Sequence, residues 1–333
     1  MSRKTGLLRR LRNRAIGLVV LAAGFAACRP DRLLESRGSS QSGARPSRPS
    51  AQATGAGQTT PPDARTQSRR RPPAPAPEPG SPPLPDAQSP SGSVHLALGA
   101  PRDATPDDDY LMIKPQYALS YNRQRNVANW VSWNLDASYF GPTPRHKGKF
   151  LADSSLPSGF YQVQDRDYAG SGFDRGHMVR SEERTRTADD NLATFYLPNV
   201  LPQRHDLNAG PWLRLEDYLQ ALSQKEGKEL YVTAGGIFGG RPETIGHGVA
   251  VPETCFKIVV VLERGQGAAD VNASTRVIAV IMPNVTGILD QAWGQYRTTV
   301  SEVERRTGYA FFSLVPEPVR RALGSRVDTG PIH

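Results

Sequence analysis

A chain of 333 residues has room for one large domain or two ordinary ones, and its net charge of +9 suggests at first a surface built to coat nucleic acid. The distribution of charge excludes that reading: residues 1–92 carry 15 Lys+Arg against 5 Asp+Glu, whereas residues 93–333 carry 26 against 27. Two cysteines are too few for a disulfide scaffold, and no cysteine pair or paired-histidine spacing suits zinc.

In chain order, the first element is a leader. Arg3, Lys4, Arg9, Arg10, Arg12 and Arg14 precede an apolar, small-residue stretch over residues 15–27. That stretch is shorter than the roughly 20 residues of a permanent bilayer-crossing helix, so it reads as an export signal. It ends in Gly24-Phe25-Ala26-Ala27-Cys28, small residues before a cysteine as in a bacterial lipobox, with Phe25 where Leu is usual. Two outcomes fit: lipidation of Cys28, which would anchor the chain to a membrane, or cleavage near Ala27. Both place the protein outside the cytoplasm. With Arg29, not an acidic residue, directly after Cys28, the outer membrane of a diderm cell is the expected location of a lipidated form; a cleaved form would be periplasmic or extracellular.

Residues 29–92 are rich in Pro, Ser, Gly, Gln and Arg and poor in large apolar side chains. They cannot bury enough surface to offset ordering entropy and read as a disordered linker. From residue 93 strand patterns begin. Residues 94–99, 111–121 and the alternating 130–135 read as strands, the last half-buried. The β-branched runs 230–233, 256–262 and 277–282 suit central strands, and Cys255, at the edge of one, reads as a core residue. Trp212, Leu215, Leu219 and Leu222 keep a helical period that Gly227 stops, with Pro211 confined to the first turn. A last helix is expected over residues 300–307. Trp130, Trp133 and Trp212 read as core, and Gly235-Gly236 with Gly239-Gly240 as a flexible loop lacking a Walker-type lysine. No internal repeat or second linker interrupts residues 93–333, which read as one α+β domain.

Two motifs in this domain carry chemistry. Asp174-Arg175-Gly176-His177 is followed about thirty residues later by Asp206-Leu207-Asn208-Ala209-Gly210-Pro211-Trp212. A base, a cation and an amide ligand at the start of a helix suit phosphodiester hydrolysis, which needs water deprotonated, phosphate held and developing charge neutralised. His177 is the expected general base, provided a hydrogen bond fixes its other nitrogen. Asn208 can offer an amide oxygen to a hard divalent cation, since Mg²⁺ accepts one protein oxygen and keeps several waters. Glu216 lies eight residues on, ~12 Å along a helix axis. It is therefore expected to reach the cation through a bound water. Arg175 is the expected phosphate clamp, and Asn199 the brace of the site. His95, His146, His205, His247 and His333 lack the motif context and read as structural.

The two motifs together resemble the DNA/RNA non-specific endonucleases of the ββα-metal, or His-Me finger, type. Asn199, Pro202-Gln203, Asp206-Leu207-Asn208, Trp212 and Leu215-Glu216-Asp217 are similar to the family's metal-binding helix. Upstream, residues 114–122 and 129–133 look like its secreted, sugar-non-specific branch from filamentous cyanobacteria. The resemblance spans residues 94–324. It implies a central antiparallel sheet flanked by helices, and one Mg²⁺, with Mn²⁺ also suitable. It further implies DNA and RNA as substrates and cleavage that leaves 5′-phosphate ends. It implies for His177, Asn208, Arg175 and Glu216 the roles just described, and Asp174 matches the motif's aspartate. Two departures stand out. Gln220 takes the place of an arginine four residues after the glutamate, and Arg145 is the best match to a further arginine, with Lys147 and Lys149 as neighbouring substitutes. A protein inhibitor is a conceivable partner, and the oligomeric state is open. The competing reading is a catalytically inactive surface protein that binds extracellular nucleic acid or a protein partner; retention of both His177 and Asn208 argues against it.

Overall fold

The computed structural model describes residues 92–332; the leader, Cys28 and residues 29–91 of the linker lie outside the described residues. The strands are β1 (Tyr110–Ile113), β2 (Ala118–Asn122), β3 (Val127–Leu135), β4 (Asp174–His177), β5 (Val200–Gln203), β6 (Glu229–Ile237), β7 (Thr244–Ile245), β8 (Val249–Ala250), β9 (Thr254–Leu262), β10 (Arg276–Pro283) and β11 (Arg297–Thr298). The α-helices are α1 (Ala188–Ala193), the single turn α2 (His205–Leu207), α3 (Leu213–Gln224), α4 (Val300–Thr307) and α5 (Glu317–Gly324). Seven strands form one antiparallel sheet in the order β1-β2-β3-β6-β9-β10-β11, while β4 and β5 pair only with each other. The architecture is α+β, built around a large antiparallel sheet, as expected.

Helices cover both faces of that sheet. Alternation along β9 sends Phe256, Ile258 and Val260 into a core shared with Val300 and Val303 of α4, while Cys255 and Val259 join the opposite core with Trp212, Leu215 and Leu219. Trp130 packs in the first core and Trp133 in the second, so every residue of β3 is buried, not half of them. A central strand covered on both sides has no polar face, which is why alternation in this run misleads.

Other expectations need correction. Residues 94–99 do not form a strand: Val94–Leu96 is a 3-10 turn that buries His95 and Leu96. The His95 ring holds the turn between the Pro115 carbonyl at 2.9 Å and the Asn134 amide at 3.2 Å. The run 111–121 is two strands, β1 and β2, closed by a Lys114 N–H to Tyr117 carbonyl bond of 2.8 Å. Gly235 and Gly236 lie in β6, not in a loop. A side chain on Gly235 would meet the Asn129 carbonyl at 2.5 Å, so close packing and not flexibility explains the glycine there. The helices at 213–224 and 300–307 fall where the periodicity puts them, with Pro211 just ahead of α3 and Gly227 at positive φ beyond its end. Between α2 and α3, Asn208–Trp212 forms a wide turn kinked at Gly210, whose Cβ would come within 2.8 Å of the Leu289 carbonyl. Among the described residues no helix is long and apolar enough to cross a membrane.

Candidate active site

The Asp174-Arg175-Gly176-His177 motif is the whole of β4, and its register against β5 pairs Asp174 with Gln203 and His177 with Val200. Gly176 is required by this pairing, because a Cβ there would stand 2.0 Å from the Gln203 side-chain oxygen. Arg175 and His177 lie two residues apart on one face of the strand, and Phe150 meets both.

His177 is held mainly by rings. Phe150 lies 5.0 Å away between centroids, and Phe195 meets it edge-on at 5.1 Å. Burial, and then the positive charges of Arg145 and Arg180, push its pKa down to about 3, with Glu182 opposing. The imidazole is therefore neutral at pH 7. Its Nε2 is buried with no hydrogen-bond partner among the described residues. The hydrogen bond expected to fix that nitrogen is replaced by an aromatic clamp. Asn199 acts on the backbone just beyond: its side-chain oxygen accepts from Val179 N–H at 2.9 Å, and its amide nitrogen donates to the Val179 and Thr194 carbonyls at 2.9 Å each. Asn199 thus grips the backbone at the strand's exit.

Asp174 connects the two motifs. Its Oδ2 accepts from the Asn208 amide nitrogen at 3.0 Å and lies 2.8 Å from Nδ1 of His205. A carboxylate cannot donate, so the Asn208 amide is fixed with nitrogen toward Asp174 and oxygen away from it. That is the orientation a hard cation needs, and the donor chemistry of Asn208 fits Mg²⁺ or Mn²⁺. His205, set aside on sequence, is thus brought to the site by a contact spanning 31 residues. Elsewhere, Asp103, Asp108 and Asp109 form a carboxylate group close enough to share an ion, but Asp109 also accepts from Asn129 and Tyr309.

The arginines are arranged differently from expectation. Arg175 is not a free clamp: its Nε forms an ion pair with Asp165 at 2.7 Å, its Nη2 donates to the Asp165 carbonyl at 2.6 Å, and it lies over Tyr168. Arg145 lies over Phe195 and reaches Ser181 and, at 2.9 Å, Glu182. It is also the largest charge acting on His177. Arg180, not picked out on sequence, extends from beyond β4 to Asp217 at 2.6 Å and to the side-chain oxygen of Gln220 at 3.5 Å. A cation from another element thus reaches the neighbourhood where Gln220 leaves a charge missing. Its position after the histidine was the available signal, but the fold alone shows which helix it meets.

Glu216, in the first turn of α3, is buried, and its Oε1 accepts from Lys257 Nζ at 3.1 Å. Burial pushes its pKa up, while Lys257 and Arg180 hold it down. Arg180 and Glu182 act electrostatically on both His177 and Glu216, while Asp174, Asn208 and His205 form a second, hydrogen-bonded group.

Comparison with known proteins identifies the family. The DNA/RNA non-specific endonuclease family profile matches residues 96–317. The chain is 45% identical to a nuclease of Nostoc sp. over 252 residues, covering 74% of the chain and 90% of that protein. It is 29% identical to the mitochondrial nuclease EXOG of Xenopus laevis over 59% of the chain and 56% of that protein, so it spans little more than half of the latter. A solved chain from the EndoG/EndoGI complex superposes with a TM-score of 0.57 at 27% identity, covering 68% of this chain and 95% of that one. The chain therefore belongs to the DNA/RNA non-specific endonuclease family, and it is a nuclease that acts on nucleic acid.

Proposed function

We propose that this nuclease is exported and metal-dependent, and that it cuts DNA and RNA with little sequence preference to leave 5′-phosphate ends. The observation that carries the reading is His177: an imidazole on the same strand face as Arg175, walled by Phe150 and Phe195, with Arg145 and Arg180 close by. With Nε2 sealed, Nδ1 is the ring nitrogen left to take a proton from water. The resulting hydroxide oxygen bonds to phosphorus, the bond from phosphorus to the 3′ oxygen breaks, and that oxygen leaves as a hydroxyl after taking a proton from solvent. Arg145 and Arg180 hold phosphate oxygens, and Arg175 joins them through the nitrogen that Asp165 does not engage. Asn208 holds the divalent ion, Mg²⁺ or Mn²⁺, which when bound supplies charge neutralisation at the phosphate and the departing oxygen. Asp174 keeps the Asn208 oxygen aimed, and Glu216 orders water on the other side. These groups address the nucleic-acid backbone and not base edges, which accounts for low selectivity.

Export rests on the basic, apolar leader, and an outer-membrane anchor through Cys28 on the small residues before it. A protein inhibitor is a further proposed partner, suggested by the complex in which the EndoG neighbour was solved. The test incubates supercoiled plasmid and single-stranded RNA with wild type and His177→Ala, in Mg²⁺, in Mn²⁺ and in EDTA. Degradation of both polymers, lost with the mutation and with chelation, is expected. Binding without cutting in either metal would overturn the assignment.

A further inference from the structure

Lys257 stands in the middle of the seven-stranded sheet, paired through β9 with Ala234 on one side and Val280 on the other. It is fully buried, and its neighbours on the same face of β9 are Cys255 and Val259. Nothing about packing calls for an ammonium here: an aliphatic side chain would fill the space without the desolvation penalty of an ion. The charge is instead provided for. The Trp212 ring lies 4.1 Å from Nζ and the Trp133 ring 5.6 Å, and the hydrogen-bonded anion is Glu216 at 3.1 Å. Glu183, also buried, accepts from Trp133 Nε1 at 2.9 Å through one oxygen and has no partner for the other.

We infer that Lys257 is a positioning residue for the nuclease site, holding Glu216 ionised and in place from beneath without touching substrate. The hydrogen bond occupies Oε1 of Glu216, so Oε2 is the atom left to serve the site. The charged groups around Glu216 are Lys257 from β9, Arg180, Glu182 and Glu183 from the segment after β4, and Asp217 on α3 itself. Burial alone drives Glu216 toward its neutral form, and among these neighbours Lys257 is the largest opposing influence. Without the ammonium, Glu216 loses the donor that fixes its Oε1 and the largest influence favouring its charged form. The inference rests on reading Glu216 as part of the catalytic site.

The test uses the full chain with Mg²⁺ and measures kcat against pH for Lys257→Met, Glu216→Gln and the double variant. Lys257→Met is expected to lose at least tenfold in kcat at pH 7, with the acid limb of its profile moved up by a unit or more and activity partly recovered at pH 9. Glu216→Gln should lose as much at every pH, and the double variant should be no worse than Glu216→Gln. A second measurement does not depend on the variants' folding for its answer: the ¹³C resonance of the Glu216 carboxyl in the wild type should report a carboxylate at pH 7. A protonated Glu216 in the wild type would overturn the inference, as would a folded Lys257→Met enzyme with an unshifted profile or losses that multiply in the double variant. Wild-type cutting by Glu216→Gln would instead remove the role given to Glu216, and the inference with it.

Discussion

The two faces of the large sheet are both buried, yet they hold together by different means. The face toward α4 is filled by Phe256, Ile258, Val260, Val277 and Ala279 against Val300 and Val303, all apolar. The face toward α3 buries Lys257, Glu216 and Glu183 among its tryptophans. Apolar burial stabilises without direction, whereas a buried ion costs free energy unless its partner is fixed. The contrast teaches where this protein spends stability on geometry: on the face that supports the catalytic β4–β5 pair.

Substitutions can break the contrast, beginning with the largest effect. His177→Ala should lower kcat by about 10²–10⁴-fold, the usual range for losing a general base, with little change in thermal stability. Asn208→Ala should be nearly as damaging and should raise the Mg²⁺ concentration for half-maximal rate. Asp174→Asn should act in the same direction but more weakly, since an amide can still accept from Asn208. On the opposite face, Phe256→Ala should cost about 3–5 kcal/mol of stability by denaturant unfolding, while the activity per folded molecule stays near wild type. If kcat fell in proportion, the two faces would not be functionally separate. The smallest expected effect is at Glu182, whose carboxylate lies 2.9 Å from Arg145 and 3.1 Å from Arg180. It competes with substrate phosphate for both, so Glu182→Gln should lower KM a few-fold with kcat nearly unchanged; a raised KM would refute that competition.

Acid sharpens the same comparison. The His177 pKa is depressed from 6.5 to about 3, so the unfolded chain binds a proton there that the folded chain refuses. This contribution is fully present above pH 6.5 and is lost as pH falls toward 3. Replacing His177 by Phe should flatten the stability profile in that window, as followed by unfolding midpoints at stepped pH.

Much of this was legible in the sequence because it is local. The β-branched runs gave β9 and β10, the period of Trp212, Leu215, Leu219 and Leu222 gave α3, and the motif spacing gave His177 and Asn208. What was not legible depends on partners distant in the chain. Lys257 sits inside an apolar run, and its meaning comes from Glu216, 41 residues away. Arg180 acquires its position from α3, and His205 from β4. Gly235 and Gly236 resembled a loop because composition records the lack of a side chain, not the neighbours that exclude one: the Phe256 ring and Asn129 carbonyl at Gly235, Phe238 and Pro252 at Gly236.

The pair of β4 and β5, which α1 separates in the chain, has a consequence for motion. Its strands share no ladder with the seven-stranded sheet, so its amides can exchange with solvent deuterium through an opening confined to a few residues. The amides of β9, enclosed between β6 and β10, have no such route and exchange only when the whole molecule opens. Exchange is therefore expected to be faster in β4 and β5 than in β9, which deuterium uptake followed strand by strand would check.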